Sequence, residues 1–153
     1  MPEKLHIIFV DDELNILQGL RRQFRSQRHE WEMHFVDSGA ATMELLKTRH
    51  FDVIVSDMRM PEMDGAQLLS LIKQQYPHMV RIVLSGYSDQ NMTLRAAESA
   101  HRYLSKPCDA EELQQTVLKS GPRGSTRRDS RLAWRDPGRD DPFRRRPVRS
   151  YRV

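Results

Sequence analysis

The sequence predicts an open, doubly wound α/β sheet over residues 1–120. Three observations carry that reading. Short apolar runs alternate five times with segments of helical period, the signature of β-α units. The first run, Ile7-Ile8-Phe9-Val10, is apolar without alternation, as a strand covered by helices on both faces must be. Finally, polar, chemistry-bearing residues stand just after or at the ends of the runs: Asp11-Asp12, Asp57, Ser85 and Lys106. In a parallel sheet of this kind the strand C-termini share one edge, where ligands bind. A chain of 153 residues suits one domain with a proper core rather than two.

Leu5–Val10 is the first strand, and the segment from Glu13 to about Arg28 is a helix. Leu17, Leu20 and Phe24 share its apolar face, with Arg21, Arg22 and Arg25 turned largely away. Trp31–Val36 alternates, with Trp31, Met33 and Phe35 on one side, and reads as a strand nearer the sheet edge. Ser38 caps a helix through about Lys47. Phe51–Ser56 is the third strand, its core at Val53–Ser56. After a loop with Pro61 and Gly65, a helix runs to about Tyr76 and is closed by Pro77. Val80–Leu84 is the fourth strand, and Asp89 caps a short helix to about Glu98. Arg102–Ser105 is the fifth strand. Lys106-Pro107 turns the chain, and Asp109 caps a last helix carrying Leu113, Val117 and Leu118.

Charge divides the chain. Residues 1–120 hold 14 Lys+Arg against 17 Asp+Glu, whereas residues 121–153 hold 11 Arg, no Lys and 4 Asp. The overall +4 therefore belongs to the tail. Four prolines and scattered arginines without period leave that tail too little apolar surface to offset its ordering entropy, so disorder is expected over 121–153. A reading-frame change or a truncation that replaced a following domain would produce such a composition. The single cysteine, Cys108, excludes an internal disulfide and fits a reducing cytoplasm. The start lacks the basic and apolar regions of a signal peptide, and no apolar stretch approaches the ~20 residues of a membrane span. A cytoplasmic protein without a membrane partner is expected.

Three carboxylates, Asp11, Asp12 and Asp57, a hydroxyl, Ser85, and an ammonium, Lys106, would thus meet in one crevice. Without a cation the carboxylates repel and at least one should have a raised pKa. Bound Mg²⁺ removes the conflict, because a hard cation favours oxygen ligands. Beside it, Asp57 can attack an activated phosphoryl group and form an acyl phosphate. Lys106, Ser85 and nearby backbone N–H groups would meet the remaining charge. A cis bond at Pro107 would aim Lys106 inward. The histidines show no zinc spacing, and Cys108 reads as structural.

The segments VDDE at 10–13, SDMRMPEMDG at 56–65, LSGYSD at 84–89 and YLSKPCD at 103–109 resemble the receiver domain of two-component response regulators. Spacings of 45 from Asp12 to Asp57, 28 on to Ser85 and 21 on to Lys106 agree. The resemblance covers about 1–119 and implies a flavodoxin-like five-stranded sheet in the order 2-1-3-4-5, an order inherited from the family and not read from this chain. It implies that Asp57 is the phosphoacceptor, that Asp12 and Asp57 ligate Mg²⁺ directly, Asp11 through water, and that the Arg59 carbonyl completes the protein ligands. Ser85 would be the switch hydroxyl and Tyr103 the aromatic whose rotamer reports the state. Lys106 would pair with Asp57 before transfer and with the phosphoryl group afterwards. Arg59 and Tyr87 would shape water access to the acyl phosphate. The phosphodonor implied is a sensor histidine kinase, with an unidentified downstream protein and a homodimer through the face of the 89–98 helix, the fifth strand and the last helix. HEWEMHFVDSG and AHRYLSKPCD look, more finely, like receivers fused to HDOD or HD-GYP output domains, although only the Arg-rich tail follows Leu118.

Such a chain is a self-modifying phosphoacceptor switch rather than an enzyme. Two other readings compete with it: a receiver acting as a phosphorylation-independent binding module, and non-specific nucleic-acid binding by the tail. A haloacid-dehalogenase-like phosphohydrolase is disfavoured, because Arg59 stands where its second Asp would be.

Overall fold

The computed structural model describes residues 4–86, 95–106 and 108–120. Five parallel strands, β1 (Leu5–Val10), β2 (Trp31–Val36), β3 (Val53–Asp57), β4 (Val80–Ser85) and β5 (Arg102–Ser105), form one sheet in the order β2-β1-β3-β4-β5. Between them run α1 (Leu14–Gln23), α2 (Gly39–Leu46) and α3 (Gly65–Gln75), and α4 (Ala110–Ser120) follows β5. The expected helix over 89–98 falls mainly outside the described residues, as do its Asp89 cap, Tyr87, Pro107 and the 121–153 tail. Within the described residues Arg95 and Ala96 are helical.

Both sheet faces are covered, which explains the unbroken apolar runs. Ile8, Val10, Ile54 and Val83 pack on one face with Leu46, Leu68, Leu69 and Ile72 of α2 and α3. Ile7, Phe9, Val53, Val55, Ile82 and Leu104 pack on the other with Leu17 of α1 and Leu113 and Val117 of α4. Three caps fix the helix starts. The Ser38 hydroxyl accepts from Ala41 N–H at 3.1 Å, and the Asp109 carboxylate accepts from Glu112 N–H at 2.7 Å. Asp64 and Gln67 form a reciprocal capping box on α3, a signal present in the sequence as D-x-x-Q.

The first helix is shorter than its apolar period suggests, ending at Gln23 instead of Arg28. Phe24 leaves the helical region at φ −103°, ψ 16° and buries its ring between Phe9, at 5.8 Å, and Trp31, at 5.4 Å. The chain then closes a short 3-10 turn at Arg25–Gln27, so aromatic packing overrides helical continuation. β3 starts at Val53 rather than Phe51; just before it, the Asp52 backbone N–H donates to His6 O and its carboxylate, in place of a backbone carbonyl, accepts from His6 N–H.

The N-terminal ends of the strands gather histidines that the sequence keeps far apart. His50 lies 2.7 Å from Asp52 Oδ1 and stacks on His78 with ring centroids 5.7 Å apart. Burial holds the His78 imidazole down to about 4, with His50 and Arg81 adding to the fall against Asp52. Below the ordinary value of 6.5 the unfolded chain binds a proton that the folded chain refuses. Stability is therefore full above pH 6.5 and falls as pH drops toward 4. Between pH 7 and pH 5 the loss should be about 1 kcal/mol after allowing for solvent screening. Urea unfolding at the two pH values should show it in the wild type and much less in His78→Gln. Equal pH dependence in both proteins would remove His78 as the cause.

Candidate functional site

Parallel strands ending on one edge bring the acidic residues together. Asp11 and Asp12 follow β1, Asp57 closes β3, and the register that sets Val10 beside Ser56 makes them neighbours. One carboxylate oxygen from each of Asp11, Asp12 and Asp57 lies within 4.8 Å of the others. Asp11 and Asp57 are buried, at 2% and 4% exposure, whereas Asp12 is exposed.

Lys106 reaches this cluster from the end of β5. Its Nζ stands 2.5 Å from Asp57 Oδ1 and 3.6 Å from Asp11 Oδ2. The backbone positions it, since the Lys106 N–H donates to Ser85 O at 2.9 Å. Met58 N–H in turn donates to Leu84 O at 2.9 Å, which ties the segment after Asp57 to β4. Asp11 is oriented by Glu13, whose backbone N–H donates to its Oδ1 at 2.9 Å.

The electrostatics are those of an under-neutralised site. Burial pushes the Asp57 carboxyl up, the Lys106 hydrogen bond and charge pull it down, and Asp11 and Asp12 add to the rise, so it ends above the ordinary value. Burial likewise raises Asp11, with the Glu13 N–H and Lys106 opposing. For Lys106, burial favours the neutral amine, but the Asp57 hydrogen bond and the charges of Asp57 and Asp11 outweigh it and raise its pKa. A single ammonium therefore leaves two buried carboxyls poorly neutralised. Asp11 Oδ2 also accepts no hydrogen bond. An oxygen-rich cluster, with Asp11 and Asp57 buried and one carboxylate oxygen that accepts no hydrogen bond, suits a hard divalent cation such as Mg²⁺.

Of the remaining expected site residues, Ser85, Arg59 and Tyr103 are among the described ones. Ser85, half-buried, ends β4 beside Ser105. Arg59 is exposed two residues beyond Asp57. Tyr103, 39% exposed, lies opposite Val83 on β5 and stands apart from the carboxylate cluster. Tyr87 and the Lys106-Pro107 bond fall outside the described residues. Cys108 is half-buried, and burial together with Glu112 pushes its thiol up to about 11, which suits a structural residue.

Sequence reasoning missed the loop from Met58 to Asp64 as a device. Gly65 N–H donates to Met58 O at 2.7 Å and Met63 N–H to Pro61 O at 2.7 Å, with Glu62 at φ 66°. The turn closes a loop that begins and ends against Asp57. Gly65 was a readable signal for it; nothing in the sequence marks Glu62 for positive φ.

The family model of the response regulator receiver domain matches residues 7–118. Among solved structures, the signal receiver domain of an HD domain-containing protein from Pseudomonas fluorescens Pf-5 is 33% identical with a TM-score of 0.73, covering 77% of this chain and 94% of that one. A response regulator receiver domain protein from Clostridium thermocellum is 29% identical with a TM-score of 0.68, covering 84% and 98%. Response regulator protein FleR of Pseudomonas aeruginosa is 32% identical over 114 residues, which are 74% of this chain and 24% of FleR. The chain spans about a quarter of the length of the curated relatives it matches. Among the described residues no helix is long and apolar enough to cross a membrane. With a parallel sheet in the order β2-β1-β3-β4-β5 and an acidic cluster at its C-terminal edge, the chain belongs to the response regulator receiver domain family.

Proposed function

We propose that this chain is a cytoplasmic phosphorylation-controlled switch in which Asp57 accepts a phosphoryl group from a sensor histidine kinase. One observation carries the reading. The buried Asp57 carboxylate is 2.5 Å from the Lys106 ammonium and within 4.8 Å of oxygens of Asp11 and Asp12, so a nucleophile and groups that meet phosphoryl charge stand together.

A carboxylate oxygen of Asp57 attacks phosphorus as the P–N bond of the phosphohistidine breaks, and the imidazole, already protonated on its other ring nitrogen, departs as the neutral base. Lys106 moves from the carboxylate to the incoming phosphoryl oxygens, keeping one ammonium on the charge throughout. The Ser85 hydroxyl donates to another phosphoryl oxygen, and so leaves its resting position. Mg²⁺ held by Asp12, Asp57, Asp11 through water and the Arg59 carbonyl would neutralise the charge that one lysine leaves uncompensated. Tyr103, exposed on β5, follows Ser85 inward and changes the face made by β5 and α4. A population shift of a few kcal/mol there is enough to select a protein partner or a second copy of the chain.

The receiver is assigned to residues 1–120, and residues 121–153 hold 11 Arg, no Lys and 4 Asp.

Intact-mass analysis with Mg²⁺ and acetyl phosphate tests the chemistry. The wild type should gain one phosphoryl group and Asp57→Ala none. No gain by a folded, Mg²⁺-supplied wild type would reject phosphorylation control and leave a module that signals by binding alone.

A further inference from the structure

We infer that the groove between α1 and the outer edge of β2 is a docking site for an extended acidic peptide segment of a partner protein. Three features meet there: concentrated positive charge, an open sheet edge and the absence of a free aromatic face.

The groove encloses about 710 Å³ and is lined by Lys4, Arg21, Arg25 and Arg28 against one carboxylate, Glu32. None of those four cations forms an ion pair among the described residues, and Glu32 already faces His34 at 3.9 Å. Residues 1–120 carry a net negative charge, so four basic groups around one groove run against the sign of the domain. Field lines from such a cleft favour an anionic occupant.

The floor supplies backbone partners. Leu5 N–H donates to Glu30 O and Asp11 N–H to Val36 O, which fixes the parity of the β1–β2 ladder. The N–H and C=O groups of Trp31, Met33 and Phe35 therefore face away from β1. Among the described residues no strand pairs with that edge. An extended segment can add there as a further strand, with main-chain bonds giving affinity and the arginines selecting carboxylates.

Nucleic acid fits less well. Trp31 is buried, and the Phe35 ring is already covered by the Arg21 guanidinium at 4.8 Å, so neither Trp31 nor Phe35 is free to stack a base. Residues 121–153 of this chain are excluded by charge, with 11 Arg against 4 Asp. The lining runs along β2 from Trp31 to Phe35 and includes none of Asp11, Asp12, Asp57 and Lys106, so the groove shares no residue with the phosphoryl site.

A short capped peptide alternating glutamate and valine, titrated into the ¹⁵N-labelled full chain, tests this. Shifts should cluster at 21–28 and 31–36, amide exchange should slow at Trp31, Met33 and Phe35, and affinity should fall with added NaCl. Arg25→Glu/Arg28→Glu, which leaves the Arg21–Phe35 contact intact, should weaken binding by about tenfold. Arg25→Gln/Arg28→Gln should weaken it less, with the wild-type spectral dispersion retained. Asp57→Ala should bind as the wild type does. Binding unaffected by either double variant, or shifts confined to 121–153, would overturn the proposal. So would tighter occupation of the same residues by a single-stranded oligonucleotide of equal charge.

Discussion

Gly65→Ala is expected to cost about 3 kcal/mol of stability and to reduce phosphoryl uptake on Asp57 with it. A Cβ at Gly65 would lie 2.5 Å from Asp57 O and 2.9 Å from Met58 Cα. Both are backbone atoms, so no side chain can rotate to relieve the contact. The strand end carrying Asp57 must shift, or the Gly65 N–H to Met58 O bond must break and release the loop. The effect is one of space, since no described glycine has positive φ. Two other glycines give the contrast. The three atoms nearest a Cβ at Gly39 all belong to the Met63 side chain, which can move, so Gly39→Ala should cost less. At Gly19 the nearest atom is 4.0 Å away, on the Arg22 side chain, and alanine inside α1 should add about 0.5–1 kcal/mol. Urea unfolding should therefore rank Gly19→Ala above wild type, then Gly39→Ala, then Gly65→Ala. A Gly65→Ala protein as stable as the wild type would show that the loop does not hold the Asp57 backbone.

How far the sequence revealed this molecule depends on whether each feature is local. The strands were legible because a buried parallel sheet imposes continuous apolar runs, and Ser38 and Asp109 announced their helices by cap chemistry. The carboxylates of Asp11, Asp12 and Asp57 were legible through topology: strand ends of one sheet must meet. The end of α1 was not, because Phe24 keeps the helical spacing and abandons the helix only for the rings of Phe9 and Trp31, distant in sequence. Arg81 was also missed. It sits inside an apolar run, yet is 6% exposed, with its guanidinium donating to the carbonyls of Ser99, Pro77 and Met79. A buried cation satisfied by carbonyls leaves no pairing carboxylate in the sequence to betray it. The His50–His78 stack and the α1–β2 groove escaped for the same reason, since each is made by residues whose spacing carries no period.

Lys106→Ala should separate two roles that the geometry gives one ammonium. In the wild type it stands against both buried carboxylates, at 2.5 Å from Asp57 and 3.6 Å from Asp11. It therefore competes with any cation for the same charge, yet supplies positive charge to the phosphoryl group during transfer. Removing it should slow phosphoryl uptake from acetyl phosphate by about 10²-fold, the scale for losing one preorganised charge partner. Mg²⁺ affinity, measured by calorimetry, should instead rise. Without Mg²⁺ the variant keeps two buried carboxyls with no ammonium beside them. The Asp57 pKa, already above the ordinary value through burial, should then climb further, because Lys106 opposes that rise. The metal-free variant should be less stable than the wild type at neutral pH and regain more stability when Mg²⁺ is added. Tighter metal binding with slower transfer marks a lysine that acts on the phosphoryl group. If metal affinity and uptake fall together, Lys106 serves only to hold the carboxylates in place, and the transfer step must find its positive charge elsewhere.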